Sequence, residues 1–233
     1  MGQSRSIAWT IIRDPGMVDR KSRLWQLLSP TLPVGAFHYS QGLEQAVEGG
    51  SVQSETEVYD WIVGVLRHAV SRVDLPIVIR CFRAWVARDA CALEWWNELA
   101  VACRETRELR EEDRAMGAAI GRLCRELGDD FPALELAYPA AFGVTAVNWH
   151  ICEADAVSGY AWSWAENQML AAIRLMALGQ TAGQRLMRRF SDDIEHAARI
   201  ALTVSDDDIG MSAPGFALAS ALHETQYSRL FRS

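Results

Sequence analysis

Residues 54–72 read SETEVYDWIVGVLRHAVSR. Val58, Trp61, Ile62, Val65, Leu66, Ala69 and Val70 recur at the i, i+3, i+4, i+7 spacing that lines one face of an α-helix. Glu57, Asp60, Arg67 and Ser71 fall mostly off that face. Ser54 followed by Glu57 is a capping-box pattern, in which each side chain takes up a backbone N–H left free in the first turn. The stretch therefore predicts an amphipathic helix with a defined start, and its period sets the reading of the rest of the chain.

Downstream the same period continues. Asp74 is placed as the cap of a second helix, with Pro76 tolerated in its first turn and Ile77, Val78, Cys81, Phe82, Trp85 and Val86 on its apolar side. A third helix is predicted over 90–102, with Leu93, Trp96, Leu99 and Ala100 facing inward. A fourth spans about 104–127 and opens on a charge ladder, Arg104 to Glu112. Arg104 with Glu108 and Arg107 with Glu111 are spaced to pair along a solvated surface. Gly128-Asp129-Asp130 ends it, and residues 131–204 read as three or four helices broken near Pro139, Gly159 and Gly179. An acidic loop from Ser205 to Gly215 and a helix-like Phe216–Glu224 lead to a basic, aromatic tail. No alternating strand pattern with hairpin signals and no repeat of fixed period is found. With no Gly/Ser/Pro-rich linker, the prediction is all-α: a single domain of about eight to ten helices in a bundle. Residues 1–23 are set apart as a mobile N-terminal extension, and 24–233 as the helical domain.

Composition narrows the function. The chain has 233 residues, half of them hydrophobic and 23% charged, with a net charge of −7. That excludes a disordered chain and runs against the basic footprint of a duplex binder. Of the 23 basic residues only Lys21 is lysine. A phosphate-binding P-loop needs glycines one and six positions before its lysine, where Arg20 and Pro15 stand. Five cysteines, an odd number without a C-x-x-C pair, predict reduced and mostly buried thiols in a cytosolic protein. The uncharged run Leu136–Cys152 is interrupted by Pro139, Gly143, Asn148 and His150 and is shorter than a span of ~20 residues. It reads as buried core, and neither a membrane nor a nucleic acid is expected as partner.

Two segments do not read as ordinary core. In Leu32–Glu44, Pro33 and Gly35 shape a turn, and Ser40 is placed to cap the helix carrying Glu44. In Gly179-Gln180-Thr181-Ala182-Gly183-Gln184, glycines interrupt an apolar helical run, which predicts close packing or a kink. No nucleophile elbow, no H-E-x-x-H and no dinucleotide fingerprint is present. His38, His68, His150, His196 and His223 are scattered, and only His150 has a cysteine close by, Cys152.

These segments carry a family resemblance. Leu32-Pro33-Val34-Gly35 running into Tyr39-Ser40-Gln41-Gly42-Leu43-Glu44 resembles the N-terminal signature of the urease accessory protein F (UreF) family. Arg104–Arg110, Gly179–Gln184 and His223–Ser233 agree in order, and the match runs from about Leu24 to Ser233. His38 stands where the family commonly has a small polar residue such as serine.

The resemblance implies an all-helical, dimerising, cytoplasmic protein that is not an enzyme and carries no cofactor or metal of its own. It implies an adaptor that binds the accessory scaffold protein D (H in some species) and recruits the nickel-carrying GTPase G, so that nickel reaches apo-urease; such proteins have also been likened to GTPase regulators. By the same resemblance Tyr39 and Arg229 belong to the GTPase-recruiting surface, supported by Ser40 and Glu44. The tail, with Gln226, Tyr227, Leu230, Phe231 and Arg232, orders when the scaffold binds. Gly179, Gln180, Gly183 and Gln184 pack helices, as Pro33 and Gly35 shape their loop. Two other readings stay open: a metal-dependent enzyme using His38 or His150 with Cys152, and a plain helical dimerisation module.

Overall fold

The computed structural model of the chain describes residues 15–233, and among these it is helical throughout, with ten α-helices and no strand. Their order is α1 (Pro15–Leu28), α2 (Leu43–Glu48), α3 (Glu55–Val65), α4 (Asp74–Val86), α5 (Ala90–Ala102), α6 (Arg107–Glu126), α7 (Tyr138–Asn148), α8 (Glu153–Met176), α9 (Gln180–Thr203) and α10 (Pro214–His223). Residues 15–23, grouped with the extension on sequence grounds, form the first part of α1; residues 1–14 lie outside the described residues.

α7 is the centre of the packing. Ala140, Ala141, Phe142, Val144 and Ala146 are wholly buried, so most of the uncharged run is core as expected, while His150 and Cys152 at its end are exposed. α4 and α6 pack against it, and α5 adds to the α4 side. α8 and α9 form an antiparallel pair across a short turn in which Ala177 takes a left-handed φ of 50°. α2 lies between α8 and α10, and α1 runs along α8. The helix in the opening stretch starts where its cap predicts, with Glu57 N–H donating to Ser54 Oγ. It continues from α3 through a π-helical turn over Leu66–Val70.

Several local expectations are corrected. Asp74 is not a cap: Val73 holds that position, and the Asp74 carboxylate is turned to Arg104 and Tyr160. α6 begins at Arg107 behind Thr106, whose hydroxyl accepts from Leu109 N–H. Gly159 does not break α8. It lies inside that helix, and a Cβ there would stand 2.9 Å from Leu28, so it lets α1 lie close. Of the cysteines only Cys81 and Cys124 are buried, while Cys91 and Cys152 are exposed.

The charge ladder departs furthest. Arg107 and Glu111 do approach, at 3.7 Å on the surface. Arg104 does not pair with Glu108; it lies against Asp74 and Asp113. Glu108, Glu112 and Asp113 are buried, because α6 turns one edge of its charged stretch inward.

Candidate functional site

That inward edge of α6 meets the end of the chain. Residues 224–233 follow α10 back across α2 and α6, held by carboxylates and by main-chain contacts. The Glu44 carboxylate accepts from Leu230 N–H (2.6 Å) and Phe231 N–H (2.9 Å). Glu108 accepts from Arg229 (2.6 Å). Glu112 accepts from the Ser233 hydroxyl (2.7 Å) and from Gln41 Nε2 (2.7 Å). Glu48 accepts from Gln226.

Backbone contacts complete the docking. The Ser233 main-chain oxygen accepts from Ser40 N–H (2.8 Å), Gln41 N–H (3.0 Å) and the Ser40 hydroxyl (2.6 Å). Arg232 N–H donates to the His38 carbonyl (2.8 Å). Ser40 also accepts from Glu44 N–H (3.3 Å), so it serves the start of α2 as predicted, although Gly42 is the cap residue itself. Gly42 has a φ of +79°, and a Cβ there would stand 2.9 Å from Ser220 N of α10. Only glycine meets both demands at low cost.

The tail therefore lies on the body of its own chain. Phe231 and Ser233 are buried, and Arg174 lies 4.6 Å over the Phe231 ring.

Tyr39, Ser40 and Glu44 come together with Arg229, Leu230, Phe231 and Arg232, but from beneath. All three are nearly or wholly buried. Burial, reinforced by Glu112, raises the Tyr39 phenol above its ordinary value. Outward face Tyr227, fully exposed, and Leu230, with Leu218 and Leu222 of α10. The Gly179–Gln184 block lies at the α8–α9 turn instead. A Cβ on Gly183 would stand 2.6 Å from Ile173 and 2.8 Å from Met169, so it permits close helix approach, while Gln180 and Gln184 face solvent. Pro33 is exposed, and Gly35 supplies a left-handed turn with φ 77°.

Sequence patterning missed the middle of the site. His223 is wholly buried, with Nδ1 2.7 Å from Glu108 and Nε2 3.2 Å from Glu44. Glu224, beside it, accepts from the N–H groups of Arg107 and Glu108, a carboxylate on the positive end of α6. The four-residue spacing of Glu108 and Glu112 on one helix edge was the available signal. Burial pushes the Glu112 carboxyl up to about 7, against the hydrogen bonds from Ser233 and Gln41. Burial likewise pushes Asp113 up to about 6, with Arg104 opposing. Burial works against the Arg104 charge, but Asp113 and Asp74 outweigh it and hold the guanidinium well above its ordinary value.

Among the described residues no group of three or more His, Cys, Asp or Glu side chains is disposed to hold a metal ion. Around His223 the reason is geometric, since the two carboxylates sit on opposite ring nitrogens. His38 is exposed with its ring on Phe37, and His150 and Cys152 are both exposed. Among the described residues no helix is long and apolar enough to cross a membrane.

Comparison with known proteins bears on what this docked tail serves. The family model described as UreF matches residues 52–191. The urease accessory protein UreF of Alkalilimnicola ehrlichii is 48% identical over 94% of this chain and 98% of its own length. UreF proteins of Chromohalobacter salexigens and of a Marinomonas species are 46% and 45% identical, over 90% and 92% of this chain and 93% and 94% of their own lengths. Near-complete coverage at this identity, with a family model over more than half of the chain, shows that the chain belongs to the UreF family of urease accessory proteins.

Proposed function

We propose that this chain acts in urease maturation as a non-catalytic, cytoplasmic adaptor that works as a homodimer. It binds the accessory scaffold protein D/H and recruits the nickel-carrying GTPase G to apo-urease. One observation supports this reading above the others. Tyr227 and Leu230 are exposed on a tail held from below by Glu44 at its backbone and by Glu108 and Glu112 at the side chains of Arg229 and Ser233. An ordered backbone with outward aromatic and apolar side chains forfeits less entropy on association than a free tail, at ~1–2 kcal/mol per residue. Arg229 is part-exposed and Arg232 exposed, and arginine and tyrosine are favoured at binding hot spots. Tyr39, Ser40 and Glu44 support this surface, and the packing of Gly183 holds the α8–α9 pair beside it.

The test is size-exclusion chromatography with light scattering on the chain alone, then with proteins D and G of the same organism. A dimer that grows into a three-component complex supports the reading. A chain that ignores both partners overturns it.

A further inference from the structure

A cavity of about 80 Å³ lies between α1, the Leu32–Glu44 loop, α6, the start of α7 and α8. Val34, Met116 and Leu170 supply apolar wall, and Pro30 and Phe37, both exposed, line it as well. Its charged lining has a single sign. Glu112, Asp113 and Glu166 face it, and among the described residues no Lys, Arg or His does.

Several of these polar groups have no partner in the chain. Asp113 has a side chain only 7% exposed and offers Oδ2 to Arg104, while its Oδ1 makes no hydrogen bond among the described residues. The Tyr138 hydroxyl makes none either, and burial together with Asp113 and Glu112 raises its phenol. Glu166 is part-buried on α8, and burial alone raises its carboxyl, with no cation or donor opposing. The partners of Glu112, Gln41 and Ser233, are neutral. Arg104 serves Asp74 as well as Asp113, so one guanidinium answers two buried carboxylates before Glu112 and Glu166 are counted. Buried negative charge in excess of its cations is costly, and a cation entering the cavity offsets it.

The lining also selects the kind of cation. A metal ion needs several converging ligands, and among the described residues no three His, Cys, Asp or Glu side chains converge. An ammonium or guanidinium group needs one or two acceptors and gains from aromatic faces, which Tyr138, Tyr160 and Trp164 provide. The volume is about half of the roughly 150 Å³ that takes up benzene, which suits a charged head with one or two carbons.

We propose that this cavity is a binding site for a small organic cation of the alkylammonium or guanidinium class, with Asp113, Glu166 and the Tyr138 hydroxyl oxygen as its acceptors. The cation is either a free molecule or the end of a lysine or arginine side chain of a partner protein. Only the second source rests on the adaptor reading above.

The test is proton–nitrogen NMR of the full chain titrated with ethylammonium chloride. Ethanol, with the same number of heavy atoms, is the neutral control, and sodium chloride matches the ionic strength. Trp164 is the reporter, because its indole N–H donates to Gln41 in the cavity wall. A saturable shift of that indole signal is expected with ethylammonium and with neither control. Tyr138→Phe and Glu166→Gln remove groups that make no hydrogen bond within the chain, so both variants keep the fold. Each should weaken ethylammonium binding about tenfold, as expected for one hydrogen bond to a charged group. No saturable shift, an equal response to ethanol or sodium chloride, or unchanged affinity in both variants overturns the proposal. The double variant then separates the sources. Unchanged assembly with proteins D and G assigns a free cation, and weakened assembly assigns a partner side chain; the site stands in either case. Because the titration contains no partner, its failure leaves the adaptor reading untouched.

Discussion

Replacing Arg104 with methionine isolates the electrostatic anchor beneath α6. Arg104 lies in the turn between α5 and α6 with only 12% of its side chain exposed. Its Nε donates to Asp113 at 2.6 Å and its NH2 to Asp74 at 2.5 Å. Tyr160 also donates to Asp74, at 3.1 Å, which leaves the guanidinium as the cation between two buried carboxylates. Methionine keeps the apolar stem and strands Asp74 and Asp113. Removing one partner of a buried ion pair costs ~3–5 kcal/mol. At ~2–4 °C per kcal/mol for a chain of this size, the melting temperature is expected to drop by roughly 6–20 °C. The loss depends on pH in a defined direction. Asp113 already sits at about 6 with Arg104 present, and removing the cation raises it further. A carboxyl raised in the folded state favours folding at low pH, and that advantage disappears as pH rises through its folded value. The penalty is therefore larger at about pH 8 than at about pH 5. Urea unfolding followed by far-UV circular dichroism at both pH values measures it. A loss under ~1 kcal/mol at the higher pH, the level of an exposed pair, refutes the reasoning, as does an equal loss at both.

Glu112→Gln keeps the shape and hydrogen bonds to Ser233 and Gln41 but cannot ionise. Glu112 is raised from 4.5 to about 7, so its contribution to stability is present below 4.5 and lost as pH rises through 7. Relative to the unsubstituted chain, the variant should gain about 3 kcal/mol between about pH 4.5 and about pH 8, read from urea midpoints; parallel pH profiles would remove Glu112 from the account. Gly42→Ala forces φ +79° on an L-residue and sets a Cβ against Ser220 N, so a loss of ~1–3 kcal/mol and a less protected tail are expected in thermal melts and hydrogen exchange. Ser54→Ala removes the α3 cap and should cost ~1 kcal/mol without touching the tail. Tyr227→Ala and Arg229→Ala should each weaken capture of the GTPase in calorimetry. Tyr227→Ala leaves the melting temperature unchanged, since that side chain is fully exposed. Unchanged affinity in both would remove the tail from the interface.

The helices were legible because their signal is local. The period over 54–72, the Ser54 cap, the Pro139 start of α7 and the Gly179 start of α9 each depend on residues within a few turns. Gly159 misled because glycine in a helix is tolerated where a neighbouring helix, here α1 through Leu24 and Leu28, comes close. Asp74 misled because a carboxylate ahead of a helix reads as a cap unless a distant cation claims it. The ladder misled most. Amphipathic patterning assigns every charge to solvent, and Glu108 and Glu112 face inward only because His223, Arg229 and Ser233 arrive to meet them.

From the amino-acid sequence alone came the all-helical class, most of the buried core in the uncharged run that begins at Leu136 and the family resemblance, all carried by local period or by ordered blocks of residues. Tertiary structure alone decided which charges lie inside and what they hold. Glu44 meets His223 across 179 residues and Leu230 across 186, and Glu108 meets His223 across 115. A buried charge is tolerated only with its partner in place, and separations of that length leave no trace in the pattern of any one helix.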